Sequence, residues 1–307
     1  MTRTLPGSKH FRLAPLAEGV YAAVVIPGTG AWGNAGIVDL GDRTLVFDTF
    51  FTPRAALDLR AAAQQLTGRA PAWVVNSHYH ADHVNGNQVF ADATIIATPR
   101  TRELMAERGE RVVQAVPGDV DSLEQALRQA SDPTRQRELQ VELGDCRALL
   151  TGLESWQQRL PNLGFERRLV LDGARRRAEL LSYGGGHSAS DAFLWLPAEG
   201  IAFMGDLVQV GFHVFLRDGD PAAWMQILDQ VAALAPAQVV PGHGPVAPGE
   251  AVAGTRAYIA DLRRRAQEFR RDGGSPEQAE RQPVPAEYAD WGAPSLFGQN
   301  LRFLCSG

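Results

Sequence analysis

The stretch VVNSHYHADHVNGN, Val74 to Asn87, constrains this chain more than any other. An apolar run leads straight into His78, His80, Asp82 and His83, four potential metal ligands within six residues. The run reads as the end of a buried strand, so the polar side chains leave from the edge of a sheet. In an extended or turning segment, alternate side chains project the same way. His78 and His80 can therefore grip one ion while Asp82 and His83 turn toward a second. Neutral imidazole and carboxylate are the usual ligands for zinc and related divalent metals in catalytic sites. The competing reading, a solvated polar loop, must put three of the chain's seven histidines into six residues by chance.

The rest of the chain supplies layers on which to mount such a loop. Residues 11–50 read as a meander of short strands closed by Gly, Asp or Pro, and the first half then alternates helical and strand signals. From about 120 to 160 the composition turns to Leu, Gln, Arg and Glu with SDP as a break, which predicts a helical hairpin insertion. Strand signals return after it, so the second half repeats the first in outline. The expected organisation is a catalytic domain over 1–260 carrying the insertion. Residues 261–307 add a C-terminal helix and an irregular tail of the same domain, docked through Trp291, Phe297 and Phe303.

Charge and composition narrow the class of partner. A net charge of −5 leaves no basic field to attract a phosphate backbone, so nucleic acid is not expected as a partner. No apolar run follows the N-terminal basic residues, and Gly and charges interrupt every long apolar span, so a cytoplasmic protein without a membrane anchor is expected. Cys146 and Cys305 are too few for a disulfide scaffold or a Cys-rich zinc module. The expected partner is a small-molecule substrate, with homo-oligomerisation left open.

Three further segments carry chemistry: GGGHSASD with His187, FMGDL with Asp206 at the end of an apolar strand, and VVPGHGP with His243. Singly, each also reads as a turn with a bystander residue. In this order after HYHADH, and with LVFDTF upstream, they resemble the ordered motifs of the metallo-β-lactamase superfamily over roughly Gly19 to Pro245. The resemblance implies an α/β fold, the four-layer αβ/βα sandwich with two mixed sheets packed face to face and metals at one edge. It implies a first metal held by His78, His80 and His187, a second held by Asp82, His83 and His243, and Asp206 bridging them. Asp48 in LVFDTF resembles the family's buried aspartate that orients ligand histidines, with a turn aspartate as the alternative.

The implied activity is that of a dinuclear zinc-type hydrolase. A hydroxide shared by two divalent ions, zinc first with iron or manganese as alternatives, attacks a small ester, lactone or thioester, and Asp82 doubles as a proton shuttle. Asp206 stands where true zinc β-lactamases usually carry Cys or Ser, so the chain resembles the branch of glyoxalase II and lactonases more than the β-lactamases. A mononuclear iron enzyme resembling persulfide dioxygenases, built on His78, His187 and Asp206, is the alternative, with a β-lactamase or a non-catalytic metal-binding protein behind it. For the pocket, the resemblance places Trp32 on a mobile glycine-flanked flap. Phe212, His213, Phe215 and Tyr183 are expected as walls, with a core histidine as the plainer reading of His213.

Overall fold

The computed structural model describes residues 5–306. Strands β1 (Phe11–Ala17), β2 (Val20–Val25), β3 (Ala35–Asp39) and β4 (Thr44–Phe47) form the expected antiparallel meander. Helix α1 (Pro53–Thr67) then crosses to β5 (Pro71–Val75), and β6 (Thr94–Ala97) and the short β7 (Leu163–Gly164) extend the sheet in parallel. Helix α2 (Ala81–Val84) carries the second half of the histidine motif. A second sheet contains, in chain order, β8 (Arg168–Asp172), β9 (Arg177–Gly184), β10 (Asp191–Leu196), β11 (Ile201–Gln209), β12 (Gln238–His243) and β13 (Ala247–Pro248). The outer helices beside it are α5 (Pro221–Ala233), α6 (Ala251–Arg271), α7 (Pro276–Ala279) and α8 (Ser295–Ser306).

The period of two explains why these strands stack into four layers. Val38, Leu45 and Phe47 point between the sheets and meet Leu194, Leu196 and Phe203. Their chain neighbours Ile37 and Val46 point the other way, onto α1 through Leu59. In the second sheet Phe193, Trp195 and Met204 face outward onto α5, α6 and α8 through Trp224, Ile259 and Leu301. Strands buried on both faces read as nearly continuous apolar runs, and that is how IAFMGDL and DAFLWL look in the sequence. This is the expected αβ/βα sandwich.

The insertion departs from expectation at its start. Helix α3 runs unbroken from Pro99 to Gln129, and α4 from Pro133 to Leu150, so the hairpin begins about twenty residues before position 120. Pro117 lies inside α3 and removes one backbone hydrogen bond, a cost of about 3 kcal/mol. Val113, Val116, Val120 and Leu123 are buried against α4 and Phe51, and at roughly 1.5–3 kcal/mol each they outweigh it. The SDP break is where expected, because Asp132 caps α4 by accepting from the Arg135 amide. Position 260 falls inside α6, so it marks no boundary, and the tail expected to be irregular closes in the helix α8. Phe297 of α8 is buried against the outer face of the second sheet.

Candidate metal centre

Each candidate ligand leaves from one edge of the sandwich. His78 and His80 follow the C-terminal end of β5, and Asp82 and His83 lie in the single turn of α2. His187 sits in the loop from β9 to β10, Asp206 within β11, and His243 ends β12. Two glycines let the backbones close in. A β-carbon at Gly205 (φ 51°) would sit 2.6 Å from Ser77 Oγ, and one at Gly242 would run into Asp206 Oδ1.

The side chains form two groups. His78, His80, His187 and Asp206 bring ligand atoms within 4.8 Å of one another, and so do Asp82, His83 and His243. Asp206 faces both groups: Oδ2 lies 3.3 Å from His187 Nε2, while Oδ1 lies 3.1 Å from His83 Nε2 and 3.4 Å from His243 Nε2. Asp82 Oδ2 is 3.3 Å from both His83 Nε2 and His243 Nε2.

The donor set fits divalent cations. His78 Nε2, His83 Nε2 and Asp206 Oδ1 are buried and find no hydrogen-bond partner among the described residues. Orphaned buried lone pairs are costly unless a cation or water completes them. Burial and the neighbouring imidazoles hold His78 well below its ordinary value, and burial pushes His187 down to about 3, so both present neutral nitrogen. Burial alone would lower His243, but Asp206 and Asp82 outweigh it and raise it to about 10. Burial raises Asp206 and Asp82, yet the surrounding histidines win and hold both carboxyls well below the usual range. The two carboxylates thus call for positive charge at the centre of the cluster.

A buried frame sets the imidazole tautomers. Asp48 accepts from the Ser77 amide and hydroxyl at 2.8 Å each, and its Oδ2 is 2.9 Å from His83 Nδ1. Ser77 Oγ in turn lies 2.9 Å from His78 Nδ1. With protons held at Nδ1, both rings turn Nε2 inward; burial keeps His78 neutral, whereas burial of His83 is outweighed by Asp82, Asp206 and Asp48, which raise it well above its ordinary value until a cation takes the proton's place. Burial raises Asp48, opposed by His83, and its φ of 57° is a strained conformation held by these bonds. The structure places Asp48 against Ser77 and His83.

Several residues here escaped the sequence reading. Asp191 accepts from the Gly186 amide at 2.7 Å and the Ser188 hydroxyl at 2.7 Å, wrapping the His187 loop around itself. Asn34 donates to the carbonyls of Pro241 at 2.9 Å and Gly244 at 2.8 Å, tying the β2–β3 loop to the turn that carries His243. Asp218 lies 3.2 Å from His80 Nε2 and accepts from Tyr79, whose hydroxyl is 2.7 Å from Arg108 Nη1 on α3. The GGGHSASD motif contained Asp191, but no local signal singled out Asn34 or Asp218.

The expected walls divide. A cavity of about 1150 Å3 opens over the cluster, lined among others by Trp32, Phe212 and Phe215. The Phe215 ring centre is 5.8 Å from that of His80, and the Phe212 ring centre 5.9 Å from that of His243. Tyr183 is not among the lining residues, because it points outward and packs on Phe193. His213 touches the cavity but is a core histidine, hydrogen-bonded through Nδ1 to Tyr258 and pushed down to about 4 by burial. Trp32 packs edge-on against Phe51 at 4.9 Å, and its loop is pinned by Asp145 of α4, which accepts from Gly30 at 2.6 Å and Gly28 at 3.2 Å. The glycines expected to free this loop serve close approach instead, since a β-carbon at Gly33 would lie 2.8 Å from the His83 ring.

Known proteins resemble this chain in sequence and in fold. The profile of the metallo-beta-lactamase superfamily matches residues 29–243. A metallo-beta-lactamase type 2 of Bacteroides fragilis is 35% identical over 107 residues, a match spanning 33% of this chain and 42% of that relative's length. Metallo-beta-lactamase structures from Hirschia baltica and Pontibacter korlensis each superpose with a TM-score of 0.60 at 16% identity. They cover 82% and 81% of this chain, and the alignments take in 98% and 99% of theirs. At that identity the likeness is one of fold. The chain belongs to the metallo-beta-lactamase superfamily, whose members bind divalent metals and are for the most part hydrolases. No helix among the described residues is long and apolar enough to cross a membrane.

Proposed function

We propose that this protein is a hydrolase that uses two divalent ions, zinc in the first instance, to cleave an ester, lactone or thioester. The observation that carries the reading is the Asp206 carboxylate, with one oxygen facing His187 and the other facing His83 and His243. His78, His80 and His187 would hold one ion, Asp82, His83 and His243 the other, and Asp206 would serve both. Bound there, the ions would acidify a water toward neutral pH and polarise the oxygen of the scissile group.

The chain's own residues would do the rest. Asp48 and Ser77 hold His83 and His78 in the ligating tautomer, and Asp218 does so for His80. Phe212, Phe215 and Trp32 crowd the cluster and limit bulk water around the reacting bond. In the overall reaction a water oxygen bonds to the acyl carbon, the acyl–oxygen or acyl–sulfur bond breaks, and the leaving group takes a proton. Asp82, whose side chain is 18% exposed and borders the cavity, is the residue we assign to carrying that proton.

A single iron on His78, His187 and Asp206 would leave the second group of Asp82, His83 and His243 without a purpose, so the two-ion reading is preferred. The test is elemental analysis of the purified protein alongside turnover of lactone, thioester, phosphodiester and β-lactam substrates. The β-lactam belongs in the panel because the Bacteroides fragilis relative is a metallo-beta-lactamase. Two equivalents of metal with lactone or thioester turnover are expected. Absence of stoichiometric metal at neutral pH would overturn the reading, and one iron with oxygen consumption would replace it.

A further inference from the structure

Two of the exposed large apolar side chains among the described residues, Val112 at 43% and Val141 at 38%, line the cavity above the cluster. They belong to the insertion. Along α3 the cavity-lining residues Arg108, Val112, Val116 and Leu123 recur at helical spacing and form one stripe. The stripe starts at the cluster, where Arg108 lies 3.3 Å from the Asp218 that contacts His80. From Arg108 to Val116 is eight residues, about 12 Å of helix, and Leu123 lies another turn or two beyond.

The cleft beside this stripe is roofed. Glu138 of α4 accepts from the Ser295 amide at 3.1 Å and hydroxyl at 2.6 Å, which joins the insertion to the first turn of α8. Asp145, two turns further along α4, holds the β2–β3 loop through Gly28 and Gly30. The insertion, the C-terminal helix and the loop thus all border the cavity. Its volume of about 1150 Å3 exceeds the usual range for sites that take compact ligands, roughly 300–1,000 Å3.

We propose that the substrate is an amphiphile: its scissile acyl group lies at the cluster, and an unbranched apolar chain runs from there along the Val112–Val116 stripe of α3 beneath α4. This rests on the hydrolase reading above and replaces the small substrate expected from the sequence. The insertion is then the specificity element, and Val112 is the residue that meets the chain. Beyond the apolar stripe the cavity is bordered by charges of both signs, Asp119 and Glu142 together with Arg135 and Arg137.

The test is a series of p-nitrophenyl esters of straight-chain acids, from about four to about twelve carbons, with the metal-loaded protein. Each added methylene buried in the cleft should raise kcat/KM by up to about fourfold until the cleft is filled. In Val112→Glu the gain with length should be lost, at least about tenfold for the longest ester, while the four-carbon ester stays within about twofold of the parent. Val112 is partly exposed, so this variant should fold, and its melting temperature checks that. In parallel, n-decanol but not n-butanol should displace anilinonaphthalene sulfonate from the parent protein, and neither should do so selectively in Val112→Glu. If esters of every length turn over at equal rates and decanol shows no preference, the amphiphile proposal fails with the hydrolase intact. If decanol binds selectively but no ester is cleaved, the hydrolase reading fails while the apolar-chain site stands.

Discussion

His80 Nε2 lies 3.2 Å from Asp218 Oδ2, and this contact decides which nitrogen of His80 faces the cluster. With the proton held at Nε2, Nδ1 is left to point inward, and it does, 3.0 Å from His187 Nε2. His78 and His83 are held the opposite way round, through Nδ1. Asp218 is itself fixed by Tyr79 and Arg108, and the hydrogen bond from His80 together with these neighbours holds its carboxyl below the usual range. Asp218→Ala should therefore weaken metal affinity by about 10–100-fold. Competition with a chromophoric chelator measures this, and a cobalt-loaded sample should show an altered d–d spectrum. Arg108→Ala should give a smaller loss of the same kind. Unchanged affinity in Asp218→Ala would mean that His80 needs no such support.

Removing Asp206 should cost more than removing any single histidine, because it faces both groups. Asp206→Ala is expected to retain at most one equivalent of metal by elemental analysis and to lose essentially all turnover. His243→Ala should lose one equivalent and keep the other. Two equivalents in Asp206→Ala would show that the carboxylate bridges nothing.

Gly242→Ala tests how tightly the cluster is built. The added methyl would meet Asp206 Oδ1 and the backbone of Gly205, and neither is the free end of a flexible side chain. The expected outcome is a folded protein with impaired metal binding, read by circular dichroism and elemental analysis together. Full metal content in a folded Gly242→Ala protein would show that β11 and β12 can yield at no cost to the site.

Asp145 should leave a signature in the pH dependence of stability. Burial raises its carboxyl from 3.8 to about 7 against the opposing bonds from Gly30 and Gly28. A raised acid binds its proton more tightly in the folded state than in the unfolded one. Its contribution is therefore complete below the unfolded value and is lost as pH rises toward the folded value. The full effect is at most about 4 kcal/mol. Relative to the parent, Asp145→Asn should thus gain in melting temperature as pH climbs from 4 to 8. A difference between the two proteins that does not change over this range would rule out the raised carboxyl.

Much of the candidate site was legible because its candidate ligands come in local words. HYHADH holds four of them, and GGGH, GDL and PGHG each supply one beside a glycine that close backbone packing demands. The sandwich was legible because strands buried on both faces must be apolar at nearly every position, as in DAFLWL. The start of the insertion was not, since Pro117 and Gly118 look like a break and only the buried stripe of α3 against α4 carries the helix through them. Tyr183 was placed in the wall because sequence does not say which face of an edge residue looks into a cavity.

The sequence by itself determined the candidate donor set and the apolar character that stacks the strands, because these depend on residue type and short-range periodicity. Tertiary structure alone decided which partner fixes each imidazole, that Asp145 and Asn34 pin the β2–β3 loop, and that the insertion and α8 roof the cavity. Those contacts join residues far apart in the chain: Asp145 and Gly28 are 117 positions apart, Glu138 and Ser295 157. Such pairs leave no local pattern, and their hydrogen bonds exist only once the layers have packed.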